Sequence, residues 1–166
     1  METGPGRKRA LEVSVRLAHR DDAASISRLV ISSLRETNAK DYSEAVIRRV
    51  ERNFGPEAVL EFIDRRLVFV AVIGVEIVGT ASLDGHVVRT VFIDPACQNR
   101  GIGRSLMAEI ERVAIRKGVT TLTVPSSVTA EPFYAKLGFT AVRDAYHGEE
   151  RTIVMERPLP AAGPQR

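Results

Sequence analysis

Residues Gln98 to Arg104 combine the residue types that bind phosphate groups, at a place where an apolar run gives way to a helical pattern. Amide groups at the start of a helix have no partner within it, and the helix dipole favours negative charge there. Gly101 and Gly103 would let an anion approach the backbone, and Arg100 and Arg104 could add charge-assisted hydrogen bonds. The segment predicts an anion site, with a plain tight turn between strand and helix as the alternative.

Two common nucleotide-binding motifs do not fit this segment. Leu106 stands near the point where a dinucleotide fingerprint requires Gly or Ala, and no Gly-Lys-Ser/Thr follows, as a phosphate loop would demand. These mismatches weaken both the Rossmann and the nucleoside triphosphatase interpretations.

A second segment, Ser127-Val128-Thr129-Ala130-Glu131-Pro132-Phe133-Tyr134-Ala135-Lys136-Leu137-Gly138-Phe139, follows downstream. With it, the sequence resembles the GNAT acetyltransferase superfamily. That family shows a Gln/Arg-x-x-Gly-x-Gly/Ala turn, matched by Gln98 to Gly103, and an Asn-x-x-Ala-x-x-Phe-Tyr-x-x-x-Gly-Phe-like helix, matched except that Ser127 replaces the Asn. The resemblance extends over roughly residues 13–157.

The resemblance implies an α/β fold of the α+β type: a central, mostly antiparallel mixed sheet of about seven strands, flanked by about four helices. Two central strands, here about 87–94 and 120–124, would splay apart so that the pantetheine arm of acetyl-CoA enters between them. Acetyl-CoA is then the cosubstrate. No metal is expected, because His19, His86 and His147 lack metal-ligand spacing.

The same resemblance implies roles for single residues. Backbone groups of Phe92 and Ile93 would bind the arm, amides from Asn99 to Arg104 would hold the pyrophosphate, and Ser127 could keep a shorter polar contact. Tyr134 would lie near the sulfur as the general acid for the departing thiolate. The expected cofactor-binding set is Phe92, Ile93, Gln98, Asn99, Arg100, Gly101, Ile102, Gly103, Arg104 and Ser127.

In such a site the amine attacks the thioester directly, so positioning does much of the work and no covalent nucleophile is needed. A lysine-like amine with a pKa of ~10.4 is mostly protonated at neutral pH, so a base, a water chain or desolvation must help. Asp84 and His86, or Glu149 and Glu150, are candidate bases, and the simpler interpretation of each is a solvated turn residue. Tyr42 is interpreted either as a lining residue of the acceptor pocket or as a helix-start residue.

Hydrophobic periodicity predicts the elements that position these residues. Val13, Val15 and Leu17 alternate with polar residues, as a half-buried strand does. Further strands are predicted near 67–73, 76–83, 87–93, 120–124, 139–146 and 152–155, and helices after Asp22, near 46–54, up to about 64, and at 102–116 and 129–137. The order βαα-βββ-α-β-α-ββ suggests a mixed sheet covered by helices rather than a regular doubly wound sheet.

The length of 166 residues, with 44% hydrophobic and 27% charged residues, predicts one globular domain. We expect a flexible tail at 1–10, a single domain at 11–158 and a flexible tail at 159–166. The net charge of +3 comes from the ends, since residues 11–157 sum to zero. No nucleic-acid partner is therefore expected.

Cys97 is the single cysteine, and no apolar stretch is long enough to span a membrane. A cytoplasmic protein without a membrane partner is the expectation.

The function predicted from the resemblance is an acyl-CoA-dependent N-acyltransferase that moves an acetyl group to a primary amine of a small molecule or protein. A non-catalytic acyl-CoA sensor or interaction module is the alternative. A toxin that acetylates aminoacyl-tRNA would be expected to show a basic face, which the balanced charge does not favour. The sequence does not identify the acceptor or decide whether the protein is a homodimer.

Overall fold

The β-branched and apolar runs of the sequence pair into one mixed sheet. The structure is a computed structural model that describes residues 12–38, 42–148 and 150–162. Within these ranges the strands are β1 (Val13–Leu17), β2 (Leu67–Ile73), β3 (Glu76–Asp84), β4 (Val87–Ile93), β5 (Thr121–Ser126), β6 (Thr140–His147) and β7 (Glu150–Pro158). Their order is β1-β2-β3-β4-β5-β7-β6, and every neighbouring pair is antiparallel except β4 with β5. The predicted seven-stranded, mostly antiparallel sheet is confirmed.

Five α-helices form within the described ranges, one more than the approximate count expected from the sequence. They are α1 (Ala23–Ser33), α2 (Glu44–Arg52), α3 (Pro56–Arg65), α4 (Ile102–Arg116) and α5 (Glu131–Lys136). Ser43 caps α2 by accepting a hydrogen bond from the Val46 amide (3.2 Å), and Pro56 starts α3 as a separate helix because its ring suits the first helical turn. No helix in these ranges is long and apolar enough to cross a membrane.

Two apolar clusters lie on opposite faces of the sheet. Because side chains alternate along a strand, Phe69 and Ala71 of β2 join the cluster of α4 and α5, whereas Val68 and Val70 join the cluster of α1 and α3. The continuous apolar run of β2 is explained by this burial on both faces. The sheet is the middle layer, and each helical layer has its own core.

The predicted terminal tails at 1–10 and 159–166 lie mostly outside the described residues. Leu159, however, still belongs to the fold: its amide donates to the Thr120 carbonyl oxygen at 2.8 Å, and its side chain packs against the α4 cluster. The described fold therefore continues past the expected boundary at 158.

β4 and β5 pair at one position in the described structure, Val87 with Thr123, where the Thr123 amide donates to the His86 carbonyl oxygen at 3.0 Å. Beyond that point the strands separate. β4 carries a bulge in which Thr90 and Val91 together oppose Ala81 of β3, and Thr90 has a φ of 56°. Because a bulge bends its strand and increases the local twist, it accounts for the divergence. The predicted splaying of the two central strands is confirmed.

Gly79 of β3 lets α4 lie close against the sheet. A Cβ atom at Gly79 would approach Cγ2 of Ile102 to 2.9 Å and Cδ1 of Leu106 to 3.1 Å, and both of those side chains are buried. On the other side of the helix, a Cβ atom at Gly103 would lie 2.9 Å from Cζ of Phe133 in α5. The first turn of α4 is thus clamped between sheet and α5, which fixes where its N-terminus points.

Replacing Gly79 with Val is expected to lower the free energy of unfolding by about 1–3 kcal/mol, because the added methyl groups overpack the contact with Ile102 and Leu106. Val has a higher intrinsic strand preference than Gly. A loss of stability would therefore result from the close approach of α4 rather than from strand propensity. Urea denaturation measures the change. Gly55→Ala is the control, since a Cβ there has nothing within 4 Å. An equal or larger loss at Gly55 would contradict the interpretation.

Candidate active site

The gap between β4 and β5 opens into a cleft of about 380 Å³. Its walls come from the bulged part of β4, the end of β5, the start of α5, and apolar side chains of the layer formed by α1 to α3. The lining residues are Leu34, Tyr42, Val46, Ile47, Val50, Phe54, Phe62, Arg66, Val88, Arg89, Thr90, Val91, Phe92, Val124, Pro125, Ser126, Ser127, Ala130, Tyr134, Glu150 and Thr152. A cleft of this size, lined by apolar side chains and by polar ones such as Arg66, Ser127 and Tyr134, is typical of a small-molecule site.

The register of β4 decides which backbone groups face the gap. Phe92 pairs with Thr80, and the Asp94 amide donates to the Val78 carbonyl oxygen at 2.8 Å, so the backbone groups of Phe92 are directed at β3. Those of Ile93 point the other way, towards the gap. The expected backbone contact from Phe92 does not agree with this register, and Phe92 instead lines the cleft with its side chain.

The carbonyl oxygen of Ile93 also has a partner from the opposite layer. Ser33, the last residue of α1, donates its hydroxyl to this oxygen at 3.0 Å and is itself buried. The exit of β4 is therefore tied directly to α1. A carbonyl oxygen has two lone pairs, so a second acceptor position remains at Ile93.

Tyr134 is a buried phenol in the wall of the cleft, with 4% of its surface exposed. Its ring packs edge-on against Phe133 (centroids 5.0 Å apart) and Phe139 (5.7 Å). Burial raises the pKa of the Tyr134 hydroxyl well above its ordinary value. Its oxygen makes no hydrogen bond to any other residue that the structure describes. The sequence predicts this residue at the site, and the structure places its buried side chain in the wall of the cleft.

The turn before α4 presents backbone amides and arginines to solvent. Asn99 (φ 66°) and Gly101 (φ 77°) are in the left-handed region, and the first helical hydrogen bond runs from the Ser105 amide to the Gly101 carbonyl oxygen at 3.0 Å. The amides of Ile102, Gly103 and Arg104 therefore have no hydrogen-bond acceptor within the helix. Arg100 and Arg104 are exposed, and neither forms an ion pair with a carboxylate of the described residues.

The residues of this turn differ in which groups they can offer to a ligand. Ile102 and Gly103 are buried, so they can offer a ligand their backbone but not a side chain, whereas Gln98, Asn99 and Arg100 are exposed. The turn is not part of the cleft lining and lies on open surface after the end of β4. An elongated ligand would have to run along the separated edge of β4 to touch both.

Ser127 stabilises the turn that precedes the short helix α5. Its hydroxyl oxygen accepts a hydrogen bond from the Ala130 amide at 3.1 Å, while its carbonyl oxygen accepts one from the Ser126 hydroxyl at 2.7 Å. Ser127 also lines the cleft, and its hydroxyl proton is still available to a ligand. The hydroxyl that replaces the family's Asn side chain thus has a local structural role as well.

The candidate bases near the third predicted strand are not in the cleft. Asp84 and His86 are exposed in the turn between β3 and β4, and Asp84 accepts an ion-paired hydrogen bond from Nε of Arg89 at 3.1 Å. Glu150 does line the cleft and lies 3.6 Å from a guanidinium nitrogen of Arg49. Glu149 lies outside the described residues. Their exposure in the turn at the closed end of the β4–β5 pair agrees with the simpler interpretation, that both are solvated turn residues.

The sequence did not reveal the aromatic and cationic part of the cleft. Phe54, Phe62 and Phe92 pack edge-on, with ring centroids 5.8 Å and 6.0 Å apart, and the guanidinium carbon of Arg66 lies 4.1 Å from the centre of the Phe62 ring. Burial lowers the pKa of Arg66. These residues come from separate segments with no shared motif. Tyr42, for which the sequence left two interpretations open, lines the same cleft.

Two other sequence expectations concern residues away from the cleft. Cys97 is half-buried in the short 3₁₀ turn after β4, packs against the α4 cluster and does not line the cleft. In the described part of the chain, His, Cys, Asp and Glu side chains do not gather in groups of three that could hold a metal ion.

Comparison with known proteins agrees with this architecture. Over 76 residues the chain is 34% identical to the uncharacterized N-acetyltransferase YafP of Escherichia coli (strain K12), a match that covers 46% of this chain and 47% of YafP. The chain thus spans about half the length of that relative. Its fold is similar to that of a GCN5-related N-acetyltransferase from Rhodopseudomonas palustris (TM-score 0.83, 24% identity, covering 90% of this chain and 98% of the other).

It is also similar to the PaiA N-acetyltransferase from Thermoplasma acidophilum, solved in complex with coenzyme A (TM-score 0.78, 20% identity, covering 89% of this chain and 99% of the other). The sequence model described as the acetyltransferase (GNAT) domain matches residues 38–155, which include the splayed strands, the turn before α4 and Tyr134. The chain therefore belongs to the GNAT acetyltransferase family.

Proposed function

We propose that this protein acetylates a primary amine by direct attack of the amine on the thioester of acetyl-CoA, with Tyr134 as the general acid. The observation that carries the proposal is the buried Tyr134 hydroxyl, which lines the cleft between the separated strands and has no hydrogen-bond partner among the described residues. A buried polar group normally finds a partner. A bound thioester sulfur would supply one.

Donor binding uses groups on both sides of the gap. The pantetheine arm lies along β4, where the backbone of Ile93 faces away from β3, and Ser127 contributes from the end of β5. The pyrophosphate is held by the amides of Ile102, Gly103 and Arg104 at the start of α4, because these donors lack helical partners and lie at the positive end of the dipole. Exposed side chains of Gln98, Asn99, Arg100 and Arg104 complete the anion site.

The reaction needs no covalent enzyme intermediate. The amine nitrogen attacks the thioester carbonyl carbon, the Ile93 amide stabilises the oxyanion, and the carbon–sulfur bond breaks with its electron pair on sulfur. Tyr134 gives its proton to that sulfur, so coenzyme A leaves as a thiol, and the phenol regains a proton from solvent. The nitrogen loses a proton to Glu150, either directly or through water.

The raised pKa of Tyr134 is compatible with this role. A general acid must be protonated before the reaction, and burial keeps the phenol in that form. The same desolvation acts on a thiolate that forms in the cleft and makes it a stronger base than it would be in water. Proton transfer between the two buried groups is therefore less uphill than their solution pKa values suggest.

Tyr134→Phe is expected to lower kcat by about 100-fold or more, since general acid catalysis contributes roughly that amount. Binding of coenzyme A should remain within about threefold of the unchanged protein, because the phenol makes no other hydrogen bond that the substitution would break. Thiol release from acetyl-CoA with a panel of primary amines measures kcat, and calorimetry measures binding.

Tyr146→Phe is the matched control, because this tyrosine is 63% exposed and lies outside the cleft. Saturable acetyl-CoA binding without transfer to any amine, together with no effect of Tyr134→Phe, would instead favour a non-catalytic acyl-CoA sensor.

Replacing Arg100 and Arg104 together with Ala is expected to weaken coenzyme A binding by about 10- to 100-fold at low ionic strength, because charge-assisted hydrogen bonds to the pyrophosphate are lost. Arg112→Ala is the control on the same helix, since Arg112 is paired with Glu109. S-acetylpantetheine has no pyrophosphate, so its KM should not respond to the double substitution. An equal loss with this shortened donor would show that the arginines act elsewhere.

The pH dependence follows from the direction of the Tyr134 shift. Because the acid must be protonated and burial raises its pKa above the ordinary value of about 10, kcat should not decline with rising pH at any pH under about 10. Over that range kcat should instead rise as the acceptor amine loses its proton. A pH profile of kcat with one amine tests this. A decline with an apparent pKa near 8 or 9 that disappears in Tyr134→Phe would contradict a raised pKa for the catalytic phenol.

A further inference from the structure

Arg66 is a half-buried cation in the cleft wall that is not paired with an acid. It follows α3, and its side chain lines the cleft and reaches Ser82 of β3 and Thr90 of β4. No carboxylate of the described residues lies within ion-pair distance of its guanidinium. Placing a charge in a partly apolar cleft costs free energy unless a partner compensates it. An unpaired arginine there therefore calls for a ligand.

The hydrogen bonds of Arg66 leave one edge of the guanidinium open. Nη1 donates to the hydroxyls of Thr90 (3.3 Å) and Ser82 (3.5 Å). Nε and Nη2 donate to no atom of the described residues. These two nitrogens form the edge that binds both oxygens of a carboxylate or phosphate in parallel. The guanidinium of Arg66 is positioned by the hydroxyls of Ser82 and Thr90 on its Nη1 side and by the Phe62 ring on one face.

The other charged groups of the cleft each have an oppositely charged neighbour. Arg89 pairs with Asp84 at 3.1 Å, and Glu150 lies 3.6 Å from Arg49. Asp84 acts on Arg66 through its charge without a hydrogen bond, and Arg89 opposes that effect. Burial has the largest influence and lowers the pKa of Arg66.

We propose that the acceptor is a small primary amine that also carries an oxyacid anion, a carboxylate or a phosphate, and that Arg66 binds this anion through its Nε–Nη2 edge. The inference rests on the proposed function and names its substrate class. The cleft of about 380 Å³ suits a compact molecule, and the side chains of Phe54, Phe62 and Phe92 would cover the apolar part between anion and amine. The bound anion orients the amine towards the thioester beside Tyr134.

A purely structural role for Arg66 makes a different prediction. Its bonds to Ser82 and Thr90 connect β3 to the bulge of β4, so losing them could loosen the cleft for every substrate alike. Recognition of an anion affects anionic acceptors selectively. The ratio of activities on matched anionic and neutral amines therefore separates the two roles.

The experiment uses matched pairs of amines with acetyl-CoA: β-alanine with β-alaninamide, γ-aminobutyrate with its amide, and phosphoethanolamine with ethanolamine. We expect at least one anionic member to have a kcat/KM about 10- to 100-fold above that of its neutral partner, the range of one charge-assisted bidentate contact. Whether the preferred anion is a carboxylate or phosphate identifies the oxyacid.

Arg66→Met should remove this preference by raising the KM of the anionic amine about 10- to 100-fold, with kcat and the activity on the neutral amine within about threefold. Arg66→Lys should restore part of the preference, because a lysine keeps the charge but not the fork. Arg65→Met is the control, since Arg65 is exposed at the end of α3 and outside the cleft. Equal losses for both members of each pair would overturn the inference in favour of a structural role.

The inference and the proposed function can fail separately. Transfer to neutral amines without any preference for anionic ones would leave the acetyltransferase reaction standing and overturn the role of Arg66. Binding of N-acetyl-β-alanine to the coenzyme A-saturated protein, measured by calorimetry, provides a readout without turnover. Tighter binding of this product than of its amide, lost in Arg66→Met, would support the anion site even if no amine were acetylated; equal binding would overturn it.

Discussion

Parallel strands that begin side by side at Val87 and Thr123 and then separate leave the facing edges of β4 and β5 without mutual hydrogen bonds. Unpaired backbone groups are costly unless something else satisfies them. The bulge at Thr90, with a φ that β-branched residues rarely adopt, maintains the separation, and the Arg66 side chain bonds to that residue. The cleft, the exposed backbone of Ile93 and the position of Tyr134 all follow from this missing pairing.

The chemistry of the cleft depends on how far its polar groups are buried away from water. Apolar side chains from α2, α3 and β4 surround it, and their effect is visible in opposite directions on two groups: burial raises the pKa of Tyr134 and lowers that of Arg66. Both shifts arise because a charge is less stable away from water. The first shift suits the general acid that we propose, and the second leaves a cation whose burial an anionic ligand would offset.

The sequence predicted most of the fold and the proposed donor site because both depend on local patterns. Periodicity located the strands and helices, and the turn to which we assign the pyrophosphate is contiguous in sequence, from Gln98 to Arg104. The proposed acceptor side is assembled by tertiary packing: Tyr42, Phe62, Arg66 and Glu150 come together from distant segments, and no spacing rule connects them. The bulge could not be predicted either, because Thr90 lies in a β-branched run that predicts a regular extended strand. For Asp84 and His86 the sequence left two interpretations open, because nearness in sequence to β4 does not tell which end of the strand faces the gap.

The two apolar clusters on opposite faces of the sheet support different parts of the proposed site. The layer of α4 and α5 carries the turn and the phenol to which we assign donor binding and proton transfer, whereas the layer of α1 to α3 supplies Phe54, Phe62 and Arg66 and packs through its own core. Side chains on one face can therefore change with little disturbance of packing on the other. Substitutions on the proposed acceptor side would then leave the proposed donor side intact, except through the Ser33–Ile93 hydrogen bond, which connects the two layers directly.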